Sequence, residues 1–249
     1  MVSHNMHPFD SYFICTSPRS GSTFLCKLLE DCRAGHPASY FHRPALTAWA
    51  SGLGLPSDTS RADLFAAAKI QSKGNHPIRG IRLQHDSLAF FCDQLALQYP
   101  DHDTDLSRIT ATFGRTAFIH LTRTDKLEQA VSLIRAQQSG LWHRNADGSD
   151  LERNGAAQDP AYDAETIKTT QTNLTQMDKN WRDWFAKNGI SPLRVTYSTL
   201  SSDPRRIMQS LLSELGLPTA PAQAISARTA KLADHVNADW IAQFRARTR

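Results

Sequence analysis

Seven consecutive residues, Ser17-Pro18-Arg19-Ser20-Gly21-Ser22-Thr23, carry the groups best suited to holding an oxyanion. Backbone N–H groups at the start of a helix are unpaired and carry partial positive charge, so together they bind anions. Gly21 allows close backbone approach. Arg19 offers a planar fork of donors matched to phosphate or sulfate oxygens, and Ser20, Ser22 and Thr23 add hydroxyls. The simplest alternative is a turn that merely caps a helix. The phosphate loop of nucleotide hydrolases, Gly-x-x-x-x-Gly-Lys-Ser/Thr, needs a lysine that this stretch lacks. Nucleotide hydrolysis and phosphate transfer from a nucleotide are therefore disfavoured.

The elements around this loop are readable. Tyr12–Ser17 is a short apolar run bounded by turn residues, the mark of a buried strand. The helix from Ser22 presents Phe24, Leu25, Leu28, Leu29 and Cys32 on one face and is expected to end near Gly35. Ile78–Gln84, Ala117–Thr122 and Leu193–Tyr197 read as further strands. Ser87–Tyr99, Lys126–Ser139 and Ala164–Asn188 read as helices, and so does the run after Asp203, with Pro204 at its first position. Asp125 and Glu128 have capping-box spacing. Strands alternating with helices predict an α/β fold, a P-loop-like parallel sheet flanked by helices on both faces. Ligands in such sheets sit beyond the carboxyl ends of the strands. That edge receives the Ser17–Thr23 loop and the turn after Thr122. Residues 140–162 are polar, rich in Gly and Asp, and long for a connection, so a lid is expected there. Otherwise residues 1–249 read as one domain.

Composition narrows the classes. Hydrophobic residues make up 40% of the 249 and charged residues 21%, which suits a globular chain. No apolar run approaches the roughly 20 residues that span a bilayer. The first residues, MVSHNMHPFD, lack the apolar core of a signal peptide. A cytoplasmic protein without stable membrane insertion is expected. The net charge of +4 comes with neither a basic stripe nor a nucleic-acid-reading motif, so a small polyanion suits it better than nucleic acid. Cys15, Cys26, Cys32 and Cys92 form no C-x-x-C pair and read as buried free thiols, and the scattered histidines indicate no metal.

The stretch S-x-R-S-G-S-T after a first strand resembles the 5′-phosphosulfate loop of sulfotransferases that use 3′-phosphoadenosine 5′-phosphosulfate. The resemblance spans most of the chain and is closest to the bacterial trehalose, lipopolysaccharide and Nod-factor sulfotransferases. It continues in Gly35–Phe41, His120–Arg123, Gln129-Ala130-Val131-Ser132, Arg135-Ala136-x-Gln138, Tyr162-Asp163 and Trp181–Leu193. Ala233-Asp234, Trp240 and Phe244-Arg245 complete it.

The resemblance implies that the phosphosulfate donor is a cosubstrate held by Pro18–Thr23, that no metal is needed, and that the acceptor is a carbohydrate or glycolipid hydroxyl. A homodimer is left open. It also implies a second anion site for the donor's 3′-phosphate, supplied by Arg123 and Ser132. Ser132 falls off the stripe of Leu127, Val131 and Ile134, so it is free to face a ligand. Lys231 matches a basic position that reaches the same nucleotide. The family's proton acceptor is a glutamate just before the aromatic pair of Gly35–Phe41, and here that position is Ser39. A serine cannot act as a base at neutral pH. His36 is the nearest replacement, with an ordinary pKa near 6.5. His42, His85 and a lid carboxylate are the others. A non-catalytic binder of a phosphorylated nucleotide remains the rival reading, with Ser39 marking lost catalysis.

Overall fold

The computed structural model describes residues 7–144, 149–153, 159–225 and 235–247. β1 (Ser11–Thr16) leads through the Ser17–Gly21 loop into α1 (Ser22–Asp31). α2 (Leu46–Leu53) and α3 (Arg61–Lys73) follow, then β2 (Arg79–Gln84), α4 (His85–Gln98) and α5 (Asp105–Phe113). β3 (Thr116–Thr122) and α6 (Lys126–Ser139) precede two short strands, β4 (Leu141–Arg144) and β5 (Asp150–Arg153). The chain continues through α7 (Ala164–Lys187), β6 (Leu193–Thr196), α8 (Tyr197–Ser202), α9 (Pro204–Glu214) and α10 (His235–Arg247).

Four strands form one parallel sheet in the order β2-β1-β3-β6. β1 is central and wholly buried, which is why it reads as an unbroken apolar run. Its alternate residues serve two cores. Tyr12 and Ile14 pack with Leu25, Leu28 and Leu29 of α1 and with Met208, Leu211 and Leu212 of α9. Phe13 and Cys15 face an aromatic cluster of Phe41, Trp49, Phe91, Phe113, Trp181 and Phe185. The expected α/β architecture is present, with helices on both faces. Among the described residues no helix is long and apolar enough to cross a membrane.

Several boundaries move. α1 stops at Asp31, earlier than expected, and Arg33 turns the chain through a positive φ of 60°. Gly35 then passes so close to the start of β2 that a Cβ there would lie 2.8 Å from the Gly80 nitrogen and the Ile78 oxygen. From this point residues 36–41 climb beside β2, making one parallel bridge, Ala38 to Ile81. Within the polar segment 140–162, β4 and β5 pair antiparallel. The capping box at Asp125 is only half made. Asp125 accepts from the Glu128 N–H at 2.8 Å, while the Glu128 carboxylate goes to Arg123 instead. The four cysteines are free thiols.

Candidate active site

The site forms where β1 gives way to α1. Gly21 is the N-cap of α1 at φ 88°, no side chain caps the helix, and its first turn contains no acidic residue. A helix start of this kind, with no carboxylate of its own, suits an external anion. The loop is also held at a positive φ of 61° at Arg19, a conformation uncommon outside glycine.

Two surrounding helices hold the loop. From α6, Gln129 donates Nε2 to the Ser17 hydroxyl at 3.0 Å and to the Pro18 carbonyl at 2.6 Å. From α7, the buried carboxylate of Asp178 accepts from Ser17 at 3.4 Å, and it also takes close contacts from the Thr122 hydroxyl and the Lys126 ammonium. The Trp181 indole donates to the Thr16 carbonyl at 2.9 Å. Trp181 is fully buried and so unavailable to a sugar, while the partly buried Trp184 packs against the same core and donates its indole N–H to Asp105 at 2.8 Å.

The expected ligand groups divide. Ser20 is fully buried and its hydroxyl bonds the Thr16 hydroxyl, so it braces the loop from within. Ser22 is also buried. Thr23 is partly exposed and accepts from Arg82 Nη1 at 2.8 Å. Arg19 crosses to α6, donating Nε to the Ser132 hydroxyl at 3.0 Å and Nη1 to the Trp142 carbonyl on β4. Arg19 and Ser132, 113 residues apart, thus meet.

Arg123 follows β3. Its guanidinium lies 4.8 Å from the centre of the Tyr197 ring, and Nη2 pairs with Glu128 at 2.7 Å. Its Nε is buried and has no partner among the described residues. The same Tyr197 ring covers Gly21, where a Cβ would lie only 2.5 Å from it. Tyr197 thus links the loop to Arg123. It ends the strand expected at Leu193–Tyr197 one residue early and starts α8. Lys231 lies outside the described residues.

His36 is not brought to this site. It lies beyond the C-terminal end of α1, whose ten residues span about 15 Å at 1.5 Å per residue. There it is exposed, paired with Glu30 at 2.6 Å, and tied through its backbone to Ser72 of α3. The helix that presents the anion cradle carries His36 to its opposite end. His42 is exposed. His85 is placed otherwise. It opens α4 directly after Gln84, which pairs with Thr16, and its ring meets Trp181 edge-on at 6.1 Å. Burial holds its pKa below the ordinary histidine value, against the smaller upward pull of Asp86 and Asp178.

Three groups missed in the sequence are Gln129, Asp178 and Arg82. Gln129 stands three residues before Ser132 in the stretch Gln129-Ala130-Val131-Ser132, with nothing local to mark it as a clamp. Asp178 falls among apolar positions on α7, an off-pattern carboxylate that was a usable signal. Arg82 interrupts the strand Ile78–Gln84 with a charge.

A model of the Stf0 sulphotransferase family matches residues 11–247. The chain belongs to this family. The sulfotransferase is 28% identical to a trehalose 2-sulfotransferase of Mycobacterium tuberculosis, with 94% of each chain covered. It is 27% identical to one of Mycolicibacterium smegmatis, covering 96% of this chain and 95% of that one. Among solved structures, the sulfotransferase domain of the Synechococcus PCC 7002 olefin synthase aligns with a TM-score of 0.38 at 17% identity, over 94% of each chain.

Proposed function

We propose that this sulfotransferase moves the sulfuryl group of 3′-phosphoadenosine 5′-phosphosulfate to a hydroxyl of a carbohydrate or glycolipid. The observation that carries the reading is the convergence of Arg19, Ser132, Arg123 and Tyr197 around the uncapped start of α1. This set fits a ligand with two separated anionic groups. The α1 N-terminus and Arg19 suit the 5′ end, and Arg123 with its unpartnered Nε suits the 3′-phosphate.

The bound donor supplies an activated sulfuryl group whose bond to phosphate oxygen breaks as the acceptor oxygen bonds to sulfur. Arg19 and the α1 N–H groups stabilise the charge that collects on the departing phosphate oxygen, a pre-aimed electrostatic role. Positioning supplies most of the remainder. The acceptor's proton goes to a base. His85 takes this role in our reading, because it stands at the carboxyl end of β2 and is unprotonated at neutral pH.

Two expectations follow from these assignments. Arg123→Ala and Ser132→Ala should weaken adenosine 3′,5′-bisphosphate by about 1.5–3 kcal/mol per lost charge-assisted bond, and adenosine 5′-phosphate far less. Equal losses for both nucleotides in calorimetry would remove the 3′-phosphate assignment. For His85, the protonated imidazole is the inactive form and its pKa is lowered, so the acidic limb of the pH–rate profile should lie below pH 6.5, the ordinary histidine value. His85→Ala should abolish that limb and lower turnover by about 10²–10⁴-fold, while His36→Ala leaves both unchanged. A limb that survives His85→Ala places the base elsewhere.

Ser39 favours one second reading, a phosphonucleotide binder without turnover. Mass spectrometry of a glycan panel incubated with donor and enzyme decides between them. A sulfated product establishes transfer, whereas bisphosphate binding with no product on any acceptor supports the binder.

A further inference from the structure

The guanidinium of Arg82 is fixed and only partly used. Nε donates to Ser39 at 2.7 Å and Nη1 to Thr23 at 2.8 Å, so two hydroxyls from different segments set its plane. Among the described residues no carboxylate pairs with it and no acceptor meets its Nη2, which is not buried. A fork of donors held by neutral groups, with one arm open, suits recognition of an oxyanion.

The sheet order says which reactant brings that oxyanion. Arg123 and Ser132 follow β3, on one side of β1, and Arg82 stands on β2, on the other side. The donor loop lies between them. Resting on the donor assignment above, the nucleotide occupies the β3 side and its departing phosphate oxygen points there. In-line displacement brings the acceptor oxygen to sulfur from the opposite direction, which is the side of β2, Ser39 and Arg82.

We propose that the acceptor is an anionic carbohydrate, and that Arg82 receives an acidic group near the hydroxyl that is sulfated. The shared chemistry is an oxyanion, whether a sugar phosphate or a uronic acid carboxylate. Ser39 leaves the Arg82 charge without a carboxylate partner at Nε, whereas a carboxylate at position 39 would pair with it there.

The test uses full-length protein saturated with adenosine 3′,5′-bisphosphate. Calorimetry compares trehalose, trehalose 6-phosphate and a disaccharide ending in glucuronate. The wild type should bind at least one acidic sugar roughly tenfold to a hundredfold more tightly than the neutral one, as loss of a charge-assisted bond implies. Which of the two it prefers identifies the oxyanion. Arg82→Gln and Ser39→Glu should both erase the preference, with Arg82→Lys retaining part of it and bisphosphate affinity unchanged to within about twofold. Equal binding of acidic and neutral sugars by the wild type overturns the proposal. So does a preference that survives Arg82→Gln. A wild type that binds no bisphosphate would instead strike the donor assignment, leaving a different signature.

Discussion

Arg19→Ala is expected to lower kcat/KM by about two or more orders of magnitude, the usual cost of removing a group aimed at transition-state charge. The fold should be retained. Arg19 is not in either core, and its contacts to Ser132 and the Trp142 carbonyl belong to the rim of the site. Its φ of 61° is no worse for alanine than for arginine, since both carry the Cβ that makes this region costly. Thermal unfolding should therefore stay close to wild type while turnover collapses. Stopped-time assays of sulfuryl transfer, run beside a melting curve, check both halves. Near-normal turnover would sink the assignment of Arg19 to the departing phosphate.

Asp178→Ala is expected to be the most damaging single change to stability. The carboxylate is buried and takes contacts from Lys126, Thr122 and Ser17. Its removal strands the Lys126 ammonium, only 14% exposed, whose remaining neighbours are the Thr122 hydroxyl and the Gln129 carbonyl. Breaking a buried pair from one side costs about 3–5 kcal/mol, which for a chain of this length lowers Tm by roughly 6–20 °C. The double variant Asp178→Ala/Lys126→Met should recover part of that loss, because the orphaned charge goes with it. A melting shift under about 2 °C for the single variant would show that the pair contributes little.

These two residues differ in how they show themselves in the chain. Arg19 announces its role locally, because strand, turn and helix are contiguous and the turn is rich in donors. The same local logic finds β1, β3, α6 and the Pro204 start of α9. It fails for α2, α3 and α5, which bury only two large apolar side chains each, Trp49 and Leu53, Leu64 and Phe65, and Ile109 and Phe113, too few to stand out as a stripe. Their starts were marked nonetheless. Ser60 caps α3 by accepting from the Asp63 N–H, and Thr104 and Ser107 form a capping box on α5 with serine in place of the usual Glu or Gln. The inward turn of Ser20, the Gln129 clamp and the Arg82 contacts join segments up to 112 residues apart, and no local pattern encodes them. The remoteness of His36 was legible. A helix of three turns that begins at the anion cradle must carry its far end away from it.

The segment 36–41 has a second consequence. β2 is one of the two outer strands of the sheet, and an outer strand with open N–H and C=O groups is a template on which other chains polymerise. Ala38 covers part of that row, bridging Ile81 and accepting the Arg82 N–H at 3.0 Å. Ser39 is the very next residue. Remodelling this stretch for a new acceptor therefore loosens the seal on the sheet's border, and variants that gain a substrate there will carry a greater tendency to aggregate.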